Sequence, residues 1–177
     1  NDARRQRQMC IRDSLFIVFP LIRMISKKFY EKNVLPSLIN STCSSRPIKK
    51  QKQKVIPSAY GNVLEIGFGS GVNLQFYDKS ATKKITGVDP SEELHELAIT
   101  NSEGIDLDIE LIKGSAEDLP FKDDTFDSVV CTYTLCSIPN PEIALIEISR
   151  VLKQNGKFLF AEHGLSSDKK VAKFQNF

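Results

Sequence analysis

The chain has 177 residues, 41% hydrophobic and 26% charged, which suits one α/β domain with a sizeable buried core. Its 24 basic and 22 acidic residues give a formal charge of only +2, so no nucleic acid or other polyanion is implied as a partner. Four cysteines without a C-x-x-C or a Cys/His spacing of metal-site type point to reduced thiols in a cytoplasmic protein and to no metal.

Asn1 to Ser14 reads as foreign. Met9-Cys10-Ile11-Arg12-Asp13 is what ATG TGT ATA AGA GAC encodes, the end of a common transposase sequencing adapter, and Ala3 to Gln8 fits the adapter's upstream half in the same frame. Residues 1–14 are therefore set aside from fold reasoning, a basic arm that binds nucleic acid being the competing reading. Without them the basic and acidic residues balance.

Residues 15–57 form an expected N-terminal helical segment. Leu15 to Ile25 is a dense apolar run broken only by Pro20 and Arg23, about half of the roughly 20 residues a membrane span needs. A lid packed over the ligand cleft is expected, with a peripheral helix lying against a membrane as the alternative. Phe29 to Asn40 is expected to be helical with a break at Pro36. A polar linker, Ser41 to Pro47, follows. Ile48 to Ile56 then reads as a basic helix stopped by Pro57, with Lys49, Lys50, Lys52 and Lys54 on its exposed side.

From residue 58 onward strands alternate with helices. Val63-Leu64-Glu65-Ile66 is a short apolar run ending in Gly67-Phe68-Gly69-Ser70-Gly71. A run of this length reads as a buried strand, and the glycines let a tight turn take positive φ and let a ligand lie against bare backbone. A helix is expected over Val72 to Tyr77, its free N–H groups facing that ligand. Strand Lys84 to Val88 ends in Asp89, about twenty residues beyond the glycine turn, where a carboxylate can accept from ribose hydroxyls. Pro90 and Ser91 open a helix running to Glu103. Then come strand Leu107 to Ile112, the turn Gly114 to Phe121, strand Phe126 to Cys131, helix Pro141 to Leu152, a turn at Leu152 to Gly156, and strand Lys157 to His163. Alternation of this kind means a parallel sheet with right-handed crossovers. The dinucleotide spacing G-x-G-x-x-G is not met, because Val72 stands where its third glycine belongs.

Glu65 to Gly71, Asp89, Gly114 to Phe121 and Asp127 to Thr132, in this order and spacing, resemble the class I S-adenosylmethionine-dependent methyltransferases. The resemblance covers roughly Lys49 to Phe177. Thr132 to Pro139 and Phe160 to Gly164 look more narrowly like small bacterial relatives of the methyltransferase-like group, which includes membrane-associated alkyl-thiol methyltransferases. Gly114 to Val129 looks equally like the quinone and phospholipid methyltransferases. Leu152-Lys153-Gln154-Asn155-Gly156 departs from the family's usual L-K-P-G-G turn but keeps a turn-forming Asn-Gly pair. The resemblance implies a Rossmann-like, doubly wound, mostly parallel sheet of seven strands. Five are visible here, so the chain is expected to be cut at its C-terminus.

The family's cofactor roles fall on Gly67, Gly69 and Gly71 beneath the methionine and ribose, Asp89 and Pro90 at the ribose, and Ser115, Ala116 and Glu117 at the adenine. Glu65 would order the glycine turn or meet the cofactor's amino group, and Thr132 would stand where the methyl faces the acceptor. Cys136 and His163 are the candidate catalytic side chains on the acceptor side. Cys136 has no histidine beside it in sequence to activate it, and His163 could remove a proton near neutral pH. The implied function is methyl transfer to a small molecule of thiol, quinone or phospholipid type. A nicotinamide-dependent oxidoreductase and a cofactor-binding protein without catalysis are the alternatives.

Overall fold

The structure, a computed structural model, describes residues 46–162 and Gly164. The adapter-like segment, the apolar run Leu15 to Ile25, the helix expected over Phe29 to Asn40 and His163 all lie outside the described residues. Within them no helix is long and apolar enough to cross a membrane, and no cluster of side chains could hold a metal ion.

Five strands form one sheet: β1 (Gly61–Ile66), β2 (Thr82–Asp89), β3 (Asp108–Lys113), β4 (Phe126–Thr132) and β5 (Leu152–Ala161). Their order is β3-β2-β1-β4-β5 and all four pairings are parallel. Among the described residues the α-helices are α1 (Arg46–Val55), α2 (Glu92–Ser102) and α3 (Pro141–Val151), with single 3-10 turns at Ile56–Ser58, Leu74–Phe76 and Leu135–Ser137.

The central strands are apolar on both sides because both faces are covered. Along β1, Leu64 and Ile66 join Val129, Cys131 and the α3 residues Ala144, Ile148 and Val151 on one face. Val63 joins Ile85, Val130 and the α2 residue Ala98 on the other, together with Ile56, Phe68 and Leu74. The doubly wound architecture implied by the family resemblance, and the parallel sheet expected from the alternating pattern, are therefore present. β3 and β5, at the two sheet edges, contain no fully buried residue.

Two local expectations are corrected. Only a single 3-10 turn, Leu74–Phe76, stands where a helix was expected over Val72 to Tyr77. Six residues cannot repay helix nucleation without outside support. Here Asn73 and Tyr77 turn inward to hydrogen-bond Glu65, and Asp78 then closes the segment by accepting from Ser80 N–H and Oγ. The second correction concerns Leu152 to Gly156, which is not a turn ahead of β5 but a bulge within it. Phe126 pairs with Leu152 and Ser128 with Lys157, so two steps of β4 face five of β5. Lys153 reaches Asp127 at 2.7 Å from the bulge, and Gly156 packs too close to Leu152 to carry a side chain.

One clamp escapes sequence inspection. Arg150 of α3 donates to both carboxylate oxygens of Glu147, to the carbonyls of Leu119 and Phe121, and to Asp123. It fastens the loop after Ala116 onto α3 through bidentate, charge-assisted bonds.

Candidate functional site

Strand order reverses at β1, and in open α/β sheets the crevice at such a switch point, outside the carboxyl ends of the strands, is where ligands bind. A cavity of about 300 Å³ lies there. Its wall follows the sheet order. Gly114, Ser115 and Ala116 come after β3, Asp89 and Pro90 after β2, the glycine turn after β1, and Thr132 to Thr134 after β4.

The glycine turn is held from three sides. Gly67 (φ +70°) and Gly69 (φ +57°) both adopt left-handed backbone, which costs a residue with a Cβ about 1–2 kcal/mol. Gly67 N–H donates to Val88 O, and Asn101 of α2 donates to Ser70 O at 2.8 Å. Asp89 supplies the third brace. Its Oδ2 accepts from Gly69 N–H and its Oδ1 from Ser91 N–H, both at 2.9 Å. The N-cap of α2 is Ser91, whose side chain accepts from Leu94 N–H. Asp89 is thus the link between the glycine turn and the start of α2, with its carboxylate on the cavity wall and only 6% exposed.

Beneath the turn lies a buried polar network. Glu65, wholly inaccessible, accepts from Asn73 Nδ2 and from Tyr77 Oη, each at 2.7 Å. Asn73 Nδ2 also donates to Thr132 Oγ1 at 3.0 Å, tying the end of β1 to the end of β4. Glu65 does not line the cavity, so its expected contact with a ligand gives way to ordering the turn from behind. Burial pushes its carboxyl up to about 7, against the lowering effect of the Tyr77 and Asn73 hydrogen bonds and of the nearby Lys52 charge.

This has a measurable consequence. Between pH 4.5 and about 7 the folded state keeps a proton on Glu65 that the unfolded chain releases. Stability contributed by the group is therefore full at the acid end and is lost as pH rises toward 7, by up to about 3 kcal/mol. Urea melts across that range are expected to show the decline. Glu65→Gln, which keeps an acceptor for Asn73 and a partner for Tyr77, should flatten it. Equal slopes in the two proteins would mean that Glu65 is ionised throughout.

On the adenine side expected from the sequence, Ser115 and Ala116 line the cavity but Glu117 does not. Glu117 Oε1 accepts from Asn140 N–H at 2.9 Å and from Asn140 Nδ2 at 2.6 Å, while its Oε2 accepts from Ser115 Oγ. It moors the turn to the start of α3. Gly71 likewise stands outside the lining, packed toward Leu74 and Phe68.

Beyond β4 the chain takes an unusual path. Tyr133 has φ +57°, a conformation disfavoured for a bulky residue, and Tyr133, Thr134, Ser137, Ile138 and Pro139 form the far wall of the cavity. Glu162, at the end of β5, holds this segment by accepting from Thr134 N–H at 2.9 Å and Leu135 N–H at 3.1 Å. Cys136 is half-buried against Tyr133 O and does not line the cavity. Burial drives the Cys131 thiol far up, with the Glu162 carboxylate adding to the effect, so Cys131 is an inert core side chain.

Three residues of the site stand outside those the sequence assigns to it. Asn73 and Tyr77 carry no local signal, because their partner Glu65 is brought to them only by the turn. Lys52 was expected on an exposed face, and that expectation is wrong: it is 3% exposed and lines the cavity. The signal was present. Ile48, Lys52, Val55 and Ile56 recur at the spacing of one helix face, so Lys52 sits in the apolar stripe of α1.

A left-handed glycine turn at a sheet's switch point, braced by the carboxylate that ends the next strand, defines an α/β domain built to hold a nucleotide-bearing cofactor. Residues 64–160 match the methyltransferase domain family. The chain belongs to that family. It is 34% identical over 116 residues to the uncharacterized methyltransferase YcgJ of Bacillus subtilis, which spans 64% of this chain and 45% of that protein. The crystal structure of YcgJ superposes with a TM-score of 0.58 at 30% identity, covering 78% of this chain and 54% of YcgJ. A phosphatidylethanolamine N-methyltransferase of Cereibacter sphaeroides is 32% identical over 125 residues (66% of this chain, 61% of that protein). A thiol S-methyltransferase of Homo sapiens is 36% identical over 110 residues (60% and 44%). The chain spans about half the length of the curated relatives it matches.

Proposed function

We propose that this chain forms the cofactor half of an S-adenosylmethionine-dependent methyltransferase acting on a small molecule of thiol, quinone or phospholipid class. The observation that carries the reading is the bare backbone at Gly69. A Cβ built there meets nothing nearer than Gly67 O at 4.0 Å, so the turn presents an open cradle to the cavity beside the Asp89 carboxylate. A ligand with a ribose and an attached amino acid fits these donors and acceptors.

Asp89 would accept from the ribose hydroxyls with the lone pairs its two backbone bonds leave over. Ser115 and Ala116 would hold the adenine, and Gly67 and Gly69 would pass under the ribose and amino acid. Thr132, fixed by Asn73, would stand beside the acceptor. When bound, the cofactor supplies a methyl group already made electrophilic by its sulfonium. The chain's part is alignment and exclusion of water, the wall from Tyr133 to Pro139 covering the far side. His163, the residue after Glu162, is assigned to proton removal where the acceptor requires it. Cys136 receives no chemical role. The names of two relatives, on a thiol and on phosphatidylethanolamine, support a small-molecule acceptor.

Thermal melts of the chain with S-adenosylhomocysteine test the assignment. At about a hundred times its dissociation constant the ligand is expected to add roughly 2.7 kcal/mol of stability. A cooperative melt that does not move would sink the reading, and one that moves with NAD instead would favour a nicotinamide oxidoreductase. Binding without methyl transfer to a panel of thiols, quinones and phospholipids would leave a cofactor-binding protein.

A further inference from the structure

Glu117, in the turn after β3, and Asn140, at the start of α3, do not line the cavity, but each adjoins residues that do. Ser115 and Ala116 precede the first, and Ser137, Ile138 and Pro139 precede the second. The bonds to Glu117 Oε1, 2.9 Å from Asn140 N–H and 2.6 Å from Asn140 Nδ2, therefore tie one wall of the cavity to the other at the protein surface. Asn140 is committed to this tie twice over. It stands between Pro139 and Pro141, neither of which has an N–H, so its amide is the one backbone donor of the three residues, and it goes to Glu117. It is also the N-cap of α3, where an asparagine side chain commonly accepts from a free helical N–H. No such cap bond is made, and the side chain donates to Glu117 instead.

The two walls are held differently. The turn after β3 is a fixed platform, with Ala116 and Leu119 buried and with Glu147 and Arg150 of α3 bonded to Leu119 and Phe121. Glu117 belongs to that platform and to the cavity wall at once, since its Oε2 accepts from Ser115 Oγ and its N–H donates to the same oxygen. The segment after β4 is strung between two carboxylates. Glu162 accepts from Thr134 and Leu135 N–H at one end, and Glu117 accepts from Asn140 at the other. Beside the first attachment Tyr133 keeps its φ of +57°, and strain of that kind persists only where the surroundings over-determine it. A strained segment tethered across the cavity to the wall that meets the ligand is placed to respond to that ligand.

Resting on the cofactor assignment above, we propose that Glu117 is a positioning residue that couples the nucleoside end of the cavity to its far wall. A nucleoside seated against Ser115 and Ala116 fixes the Ser115 hydroxyl and Glu117, and through Asn140 it steadies the segment from Thr134 to Asn140. The wall that faces the methyl acceptor is then set by the presence of the cofactor.

Hydrogen exchange of the full chain, resolved amide by amide with NMR, tests this, with adenosine as the probe of the nucleoside end. Ser137 and Ile138 report on the far wall, their N–H groups donating to Thr134 O and Leu135 O rather than to Glu117. Saturating adenosine is expected to slow their exchange in wild type by at least about fivefold, the low end of ordinary coupling between sites. In Glu117→Ala, which should still bind adenosine, the effect is expected to shrink below about twofold. Glu117→Gln, which keeps an acceptor for Asn140, should retain most of it. Asn140→Ala, which removes the shorter bond from the other side, should fall between and serves if Glu117→Ala does not fold. Adenosine that slows the two amides as much in the variants as in wild type overturns the proposal, because Glu117 is then only a local brace. If wild type binds neither adenosine nor S-adenosylhomocysteine, the cofactor assignment itself has failed and the coupling goes with it. Binding to wild type without slowing at Ser137 and Ile138 removes only the coupling.

Discussion

Asp89→Ala is expected to weaken S-adenosylhomocysteine binding by at least about a hundredfold, since it removes the carboxylate proposed to accept two hydrogen bonds from the ribose, each worth about 1.5–3 kcal/mol to a charged acceptor. The same change should lower stability by roughly 2–4 kcal/mol, because Gly69 N–H and Ser91 N–H both lose their acceptor. The two effects come from different lone pairs of one side chain and are separable. Urea melts report the brace, and calorimetric titration at a temperature where the variant remains folded reports the ligand contact. If stability falls while affinity stays at the wild-type level, Asp89 is only a tie between the glycine turn and α2. That result would move the ribose site elsewhere.

Alanine at the two glycines should act in opposite ways, although they are two residues apart and share a left-handed backbone. At Gly67 the added Cβ would land on the Thr134 side chain. Overpacking and left-handed strain together are expected to cost roughly 3–5 kcal/mol, enough to threaten a domain of this size. At Gly69 the Cβ meets open space, so only the backbone penalty of about 1–2 kcal/mol applies. The methyl group would nevertheless occupy the cradle, and affinity for S-adenosylhomocysteine should fall by an order of magnitude or more. The pair gives an internal control. Gly67→Ala should melt early, whereas Gly69→Ala should melt only several degrees below wild type, roughly what 1–2 kcal/mol is worth, and respond far less to ligand. A Gly69→Ala protein that binds as wild type does would mean the ligand passes elsewhere.

Much of the fold follows from short-range pattern. The five strands and the two crossover helices stand within a few residues of where hydrophobic runs and turn signals put them. The reason is that each is a contiguous segment whose apolar residues must be covered on both faces. The glycine turn and Asp89 were legible for a related reason. Positive φ and a strand-end carboxylate are requirements on particular residue types at particular spacings, and a sequence displays both. Family membership rests on the same short stretches.

What the chain order could not display is anything decided by partners far apart along it. For Glu65 the sequence left two roles open, ordering the glycine turn or meeting a ligand, and the turn after it folds Asn73 and Tyr77 over its carboxylate and seals it in. Glu117 reads as a pocket acid until α3 brings Asn140 to it. Glu162 became a brace for the segment after β4 only because β5 runs beside β4. Lys52 shows the limit most clearly. Its four basic companions in α1 made a solvated face the natural reading, whereas its place on the apolar stripe of the helix put it into the cavity wall. Burial and charge environment are properties of the whole packed domain. Residue type and spacing determine what chemistry is available, and tertiary packing decides which of those groups meet.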